Sequence, residues 1–187
     1  MRARGFSLFE SLRWIAIAVV CGALAWSIMG PRGGPEVGAP APPIEVETLA
    51  GGSFDLAAQQ GRVVVLDFWA TWCPPCLKSL PALERLHKRY ADDPTVTIAS
   101  VNTDAMPDRS VALQRWMDTR GYSFPVLLEG RQKQLSHAYR VQSIPTMVVV
   151  GRSGRVHHVQ VGLPANDVDG IEAHVEDQIR DALAEAE

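Results

Sequence analysis

The sequence has little cysteine and no excess of basic residues. Only three of its 187 residues are cysteine, and two of them, Cys73 and Cys76, form a single C-x-x-C pair. A framework of structural disulfides needs several cysteines spread through a small domain, so that class is excluded. The formal net charge is −3, and most acidic residues follow residue 30, which leaves no basic surface for nucleic acid. The chain also lacks internal repeats of solenoid length.

Charged residues are also missing between Trp14 and Gly30. A helix of this length, at about 1.5 Å per residue, spans roughly 25 Å, which is near the lower limit for crossing a membrane. Three arginines precede the run and outnumber Glu10, so the positive-inside rule predicts a cytoplasmic N-terminus and an exported remainder. The alternative is a signal peptide, because Ala23-Leu24-Ala25 fits a cleavage site. Both interpretations export the domain that follows.

Four segments are therefore expected along the chain. Residues 1–13 would form a cytoplasmic N-terminus and residues 14–30 a transmembrane anchor. Residues 31–43 are rich in proline and glycine and should form a semi-extended linker. Residues 44–187 remain for the folded domain, whose first alternating strand pattern begins at Ile44.

Within the domain, strand patterns alternate with helix patterns. Continuous apolar runs at 63–69 and 95–101 predict strands buried on both faces. Apolar residues recurring every three and four positions predict a helix over 74–90. The remaining expected elements are strands at 44–49, 124–128, 146–150 and 155–161 and helices at 108–120, 131–139 and 167–184. This order predicts an α/β fold with a mixed central β-sheet flanked by helices.

The two cysteines of the C-x-x-C lie where the central strand meets the following helix. Free N–H groups and the positive dipole end of a helix N-terminus stabilise a thiolate, which is the form that attacks disulfides. Position therefore makes Cys73 the nucleophile, and Cys76, one turn on, would resolve the mixed disulfide. A structural disulfide or part of a zinc site would use the same pair. Attachment of a c-type haem would need a histidine where Leu77 stands.

Asp67 lies six residues before Cys73 within the apolar strand. Burial raises the pKa of a carboxyl group, and an acid with a raised pKa can exchange a proton with Cys76 as that thiol reacts. A partly solvated acid at the end of the strand is the alternative interpretation.

The segment from Val65 to Cys76 resembles the thioredoxin superfamily and, within it, the membrane-tethered TlpA/ResA-like disulfide reductases. Further matches follow in the family's order: Pro81, Val101-Asn102-Thr103-Asp104, Ile144-Pro145-Thr146 and Val161-Gly162. The resemblance covers roughly residues 44–180. ScsD-like tethered thioredoxins, which are linked to copper tolerance, are a related alternative.

The resemblance implies a thioredoxin fold in which Ile144–Pro145 is a cis peptide that faces the cysteine pair. It implies that Ile144, Pro145 and Trp72 bind the substrate. It also implies that no cofactor or metal ion takes part.

For catalysis, the resemblance implies that Cys73 and Cys76 act together with Asp67. The sequence departs from the family at two places near this acid. Ser100 stands where thioredoxins usually carry a lysine, and Ser79 stands where many TlpA/ResA-like proteins carry a glutamate.

The expected function is the reduction of disulfides in exported proteins, as in cytochrome c maturation or periplasmic redox homeostasis. The partners would be oxidised protein substrates and a membrane electron donor of the DsbD/CcdA type. The chain would be a monomer, held in the bacterial inner membrane by its N-terminal helix. The alternatives are a DsbA-like oxidant, a copper-binding protein that uses the thiolates, and a thiol peroxidase. For the peroxidase motif P-x-x-x-T-x-x-C, Thr71 stands one position too close to Cys73.

Overall fold

The computed structural model describes residues 14–15, 17–21, 34–104, 109–130 and 132–185. The chain divides into two compact units, 1–32 and 33–187. In the first unit, the described residues are helical. Among all described residues, no helix is both long enough and apolar enough to cross a membrane. The predicted cytoplasmic segment at 1–13 and most of the predicted anchor at 14–30 lie outside the described residues.

In the described part of the second unit, seven strands form two sheets. The strands are β1 (Glu45–Glu47), β2 (Ser53–Asp55), β3 (Val63–Trp69), β4 (Val96–Asn102), β5 (Val126–Leu128), β6 (Thr146–Val150) and β7 (Val156–Val161). The central sheet has the order β5-β4-β3-β6-β7, while β1 and β2 pair separately. Strands β3, β4 and β5 are parallel, and β6 and β7 are antiparallel to their neighbours. All seven residues of β3 are buried, as expected for a strand covered on both faces.

Helices cover both faces of the central sheet. They are α1 (Pro74–Arg89), α2 (Arg109–Arg120), α3 (Gln134–Ala138) and α4 (Val168–Ala184). Buried side chains of α1, α2 and α4 form one apolar cluster with one face of the sheet. Leu135 of α3 and Phe54 of β2 belong to a second cluster on the opposite face. This arrangement is the thioredoxin-like α/β fold that the sequence predicts.

The differences from the predicted elements are small. The strand expected at 44–49 is shortened to Glu45–Glu47, and the helix expected at 131–139 to Gln134–Ala138. Strand β2 and a 3₁₀ turn at Ala57–Gln59 were not predicted. Each of these two has three residues, which is too short for a periodic pattern to be recognised.

Residues 34–43 differ from the free linker that their composition predicts. The backbone N–H of Gly38 donates to the carbonyl oxygen of Val156 at 2.7 Å. The hydroxyl of Tyr139 donates to the carbonyl oxygen of Pro42 at 2.8 Å. The segment therefore satisfies backbone groups at the edge of β7, where an unpaired strand would otherwise face solvent. The folded unit begins before Ile44, where the sequence placed its start.

Candidate active site

The cysteine pair lies where β3 ends and α1 begins. Cys73 is the N-cap residue of α1, with an extended backbone at φ −97° and ψ 99°. Pro74 and Pro75 occupy the first helical positions, where the missing N–H groups would have no partner within the helix. The sequence therefore starts the helix directly after Cys73, and the N–H of Cys76 in the first turn points at the Cys73 sulfur.

Cys73 and Cys76 form a disulfide with an S–S distance of 2.00 Å and a Cα–Cα distance of 5.3 Å. The backbone N–H of Cys76 donates to the Sγ of Cys73 at 3.2 Å. After reduction, the same N–H would stabilise a thiolate on Cys73. Cys73 keeps 3% of its surface exposed, whereas Cys76 is fully buried. An incoming sulfur can therefore approach only Cys73 of the two.

The loop before β6 lies against the disulfide. The Ile144–Pro145 peptide bond is cis, which confirms the prediction. The carbonyl oxygen of Ile144 lies 3.8 Å from the Sγ of Cys73. The N–H of Gly162 donates to the carbonyl oxygen of Pro145 at 2.8 Å, so the loop is tied to the end of β7.

Trp72 precedes Cys73 and points outward. It is 67% exposed, which is unusual for the largest apolar side chain. The neighbouring Ile144 is half-buried and packs at the edge of the core. Apolar surface is therefore available on Trp72 beside the disulfide, where a peptide could make contact.

Asp67 lines a small, largely apolar cavity. Its residue is 4% exposed, and its Oδ2 has no hydrogen-bond partner among the described residues. Burial raises the pKa of Asp67 from 3.8 to about 7, because a carboxylate is poorly solvated in apolar surroundings. The cavity leaves about 20 Å³ for the centres of water molecules, which is room for about one water. Pro145 lines the same cavity, so the space reaches the cis-proline loop.

Ser79 connects this cavity with the cysteine pair. Its hydroxyl donates to the carbonyl oxygen of Cys76 at 2.9 Å, and its side chain lines the cavity beside Asp67. Ser100 is the direct neighbour of Asp67 in the register between β3 and β4. Both positions where the family carries a charged residue therefore hold neutral hydroxyls. Asp67 is the one ionisable side chain among the described residues that line the cavity.

The structure brings the residues predicted from the sequence together in two groups. Cys73, Cys76 and Ile144 meet at the disulfide, while Asp67 and Pro145 share the cavity.

Sequence reasoning missed two buried residues at the end of β4, Asn102 and Asp104. Asp104 accepts a hydrogen bond from the N–H of Thr71 in the turn before Cys73, and the side-chain amide of Asn102 donates to Asp104. Their only signal in the sequence was a match to the family's motif order, to which no role was attached.

The chain has relatives among known proteins. Residues 37–159 match the AhpC/TSA family. The chain belongs to this family. It is 31% identical over 157 residues to the thioredoxin-like protein YneN of Bacillus subtilis, which covers 80% of this chain and 90% of that protein. The thiol-disulfide oxidoreductase ResA of Bacillus subtilis is 32% identical over 125 residues, 67% of each chain.

Solved structures with the same fold include two disulfide-exchange proteins. A thiol:disulfide interchange protein of the thioredoxin family from Chlorobium tepidum TLS has a TM-score of 0.63 and 25% identity, covering 82% of this chain and 99% of its own. A secreted Mycobacterium tuberculosis disulfide oxidoreductase homologous to E. coli DsbE has a TM-score of 0.58 and 27% identity, covering 72% of this chain and 95% of its own. With its Cys73–Cys76 pair, this AhpC/TSA member is a thiol-disulfide oxidoreductase of the ResA/DsbE type.

Proposed function

We propose that the enzyme reduces disulfides of exported proteins on the extracytoplasmic side of the bacterial inner membrane. The observation that carries this proposal is the placement of the Cys73–Cys76 disulfide. It lies at a helix N-terminus, with the Sγ of Cys73 within 3.8 Å of the Ile144 carbonyl oxygen. Such a site combines a stabilised thiolate with a backbone surface that can receive a peptide.

The reaction begins with Cys73 in the thiolate form. Its Sγ attacks one sulfur of the substrate disulfide, so that bond breaks and a mixed disulfide forms. The departing substrate sulfur takes a proton and becomes a thiol. The thiolate of Cys76 then attacks the Sγ of Cys73, releases the second substrate thiol and closes the disulfide that the structure contains. Two electrons pass from the enzyme to the substrate.

Asp67 serves this second step as the proton acceptor for Cys76. A general base works best when its pKa lies near the working pH, and burial raises the pKa of Asp67 to about 7. The cavity beside Asp67 has room for about one water, and Ser79, which also lines it, donates a hydrogen bond to the carbonyl oxygen of Cys76.

The substrate lies across Trp72 and the Ile144–Pro145 loop. Trp72 offers exposed apolar surface next to Cys73, and Ile144 shapes the contact beside the attacked sulfur. Neither residue selects one sequence, so the substrates are oxidised proteins as a class, with apocytochromes c among them.

The location rests on the N-terminal sequence. The uncharged run at 14–30 follows three arginines, a pattern that favours a single anchor with an exported C-terminal domain. The related Mycobacterium tuberculosis oxidoreductase is secreted, which is consistent with this side of the membrane. Each cycle oxidises the cysteine pair, so a membrane donor of the DsbD/CcdA type would return two electrons to a monomeric enzyme.

A trapping experiment tests the proposal. The Cys76→Ser variant of the full chain, expressed in bacterial cells, should accumulate mixed disulfides through Cys73, because nothing resolves them. Mass spectrometry of the trapped partners should identify exported proteins with paired cysteines, in the membrane fraction. The Cys73→Ser/Cys76→Ser double variant is the matched control and should trap none. Partners drawn only from the cytoplasm would contradict the proposed location.

A further inference from the structure

The loop that presents Ile144 and Pro145 to the cysteine pair depends on other parts of the fold for its shape. Its backbone, between Tyr139 after α3 and Thr146 at the start of β6, consists of turns and irregular structure. The end of the loop is tied to β7, because the N–H of Gly162 donates to the carbonyl oxygen of Pro145. The beginning of the loop is tied to residues 34–43, the docked segment.

Two hydrogen bonds join the docked segment to the beginning of this loop. The backbone N–H of Gly34 donates to the carbonyl oxygen of Arg140 at 2.9 Å. The hydroxyl of Tyr139 donates to the carbonyl oxygen of Pro42 at 2.8 Å. Tyr139 is fully buried, and its ring centroid lies 5.6 Å from that of Phe68 in β3. The beginning of the loop is therefore held between the docked segment and the central strand.

The contact at Gly34 requires glycine. Its φ is 122°, a conformation that residues with a side chain rarely adopt. A Cβ atom at this position would lie 2.5 Å from the Cγ1 of Val159, which is far closer than two carbon atoms pack. Val159 belongs to β7 and lies shortly before Gly162. The docked segment therefore begins near the end of β7 that also holds Pro145.

The docked segment and the loop also share apolar contacts. Ala41 of the segment packs against the same buried cluster as Val141 and Ile144 of the loop. Arg140, where the loop begins, has a left-handed backbone with φ 50°, which is unfavourable for a residue with a side chain. Such a conformation persists only where surrounding contacts hold it, and the hydrogen bond from Gly34 is one of these contacts.

A loop that is held in its binding shape before the substrate arrives favours binding. When a loop must first be ordered, the cost of ordering is subtracted from the binding free energy. The sulfur of Cys73, in contrast, is positioned by the start of α1 and by the N–H of Cys76. Releasing the loop should therefore weaken substrate binding more than it slows the exchange between sulfurs.

We propose that the docked segment is a positioning element of the active site, in which Gly34 and Pro42 hold the loop before β6 ready to receive the polypeptide around a substrate disulfide. This inference rests on the proposed function, because it takes the Ile144–Pro145 loop as the surface that binds the substrate. It predicts that the segment favours disulfides carried by a polypeptide over small disulfides, which do not need the loop.

The test compares a protein disulfide with a small one, using the full chain in detergent. Insulin reduction with dithiothreitol as the electron source gives KM and kcat. The reaction of the reduced enzyme with dithiobis-nitrobenzoate, which releases a coloured thiolate, reports the reactivity of Cys73 without a bound polypeptide.

Two variants release the loop to different extents. Gly34→Ala should raise the KM for insulin by up to about tenfold, the equivalent of one lost hydrogen bond, and should leave kcat close to the wild-type value. Tyr139→Phe, which removes only the hydroxyl that binds Pro42, should raise KM by about twofold or more. Neither variant should change the rate with dithiobis-nitrobenzoate.

Gly51→Ala is the matched control. Gly51 also has a positive φ, of 87°, and it lies between β1 and β2, where a Cβ atom would meet no described residue within 4 Å apart from its chain neighbours. This variant should leave KM unchanged. If Gly34→Ala and Tyr139→Phe lower the melting temperature while KM stays at the wild-type value, the segment only stabilises the fold and the inference is wrong.

An equal slowing with insulin and with dithiobis-nitrobenzoate would also overturn the inference, since the effect would then act on Cys73 itself. The comparison does not depend on the direction of electron flow, because variant and wild type are measured in the same assay. A reduction potential at the oxidising end would contradict the proposed function and would leave the result on the docked segment intact.

Discussion

Cys73 and Cys76 differ in accessibility, and this difference assigns their proposed roles. Cys73 keeps 3% of its surface exposed, whereas Cys76 is fully buried. Cys73→Ser should abolish the reduction of insulin disulfides, because no thiolate remains at the surface. Cys76→Ser should still form the mixed disulfide but fail to turn over. Insulin turbidity measures turnover, and non-reducing gels show the trapped species. Full activity of Cys73→Ser would contradict the assignment.

Asp67 should affect the rate through its proton. Asp67→Asn keeps the size of the side chain but cannot accept a proton from Cys76. Since general base catalysis typically contributes about 10²-fold or more, turnover should fall by at least about tenfold near neutral pH. The rise of the wild-type rate through a pH of about 7, the pKa of Asp67, should also disappear. A pH–rate profile that keeps this inflection in Asp67→Asn would assign it to another group.

Asp67 should also affect the stability of the fold. Stability favours its protonated form, whereas catalysis needs the deprotonated form. The pKa of Asp67 is raised in the folded state from 3.8 to about 7, so the folded protein binds the proton more tightly than the unfolded chain. Stability therefore falls as pH rises from about 4 to about 7 and stays low above it. Asp67→Asn should raise the free energy of unfolding by up to about 4 kcal/mol at pH 8 and by little at pH 4. Urea titrations at the two pH values measure this difference, and a difference of equal size at both would contradict it.

At the scale of elements, Glu84 links α1 to the start of β5. Its carboxylate accepts hydrogen bonds from the N–H of Ser123 at 2.7 Å and of Phe124 at 3.2 Å. The residue is 6% exposed. Glu84→Ala would leave these N–H groups without their acceptor, and it should lower the free energy of unfolding by about 1–3 kcal/mol. Glu45→Gln, an exposed acid in β1, is the control and should change stability little.

The stabilisation from Glu84 should depend on pH. Burial acts to raise the pKa of Glu84, but hydrogen bonds from Ser123 and Lys88 outweigh it, and the pKa is lowered from 4.5. The contribution is therefore present above the ordinary pKa and is lost as pH falls through the lowered one. Denaturant titrations from pH 6 down to pH 3 should show wild type and Glu84→Gln converging. A gap that stays constant over this range would contradict the linkage.

The sequence predicts the main elements because their patterns are local. The run at 63–69 has the pattern of a strand buried on both faces, and the two prolines after Cys73 fit the start of a helix. The docking of residues 34–43 could not be predicted, because proline-rich composition does not reveal which strand edge the backbone meets. The docking depends on β7 being an edge strand of the central sheet.

For the whole molecule, this docked segment should contribute to stability. The domain truncated to begin at residue 44 loses the Gly38–Val156 and Pro42–Tyr139 hydrogen bonds. It should unfold at a lower temperature than the domain beginning at residue 34. Tyr139→Phe in the longer fragment isolates one bond and should cost about 1 kcal/mol. Equal melting temperatures of the two fragments by circular dichroism would show that the segment adds nothing.

The candidate site was predictable to the extent that its residues lie close along the chain. Asp67 and the cysteines belong to one strand–turn–helix segment, and Ile144–Pro145 was found by its order in the family. Asp104 also lies in the family's motif order, but its contact with the turn was not predicted, because its bond to Thr71 joins positions 33 residues apart. The cavity likewise depends on several elements meeting, since Asp67, Ser79 and Pro145 come from three of them.

The reduction potential of the Cys73–Cys76 pair tests the proposed direction of electron flow most directly. It can be followed by tryptophan fluorescence in dithiothreitol and glutathione buffers, since Trp72 adjoins the pair. A value near about −270 mV, at the thioredoxin end, is expected for a reductase supplied by a membrane donor. A value near about −120 mV, at the DsbA end, would make the enzyme an oxidant and contradict the proposed function.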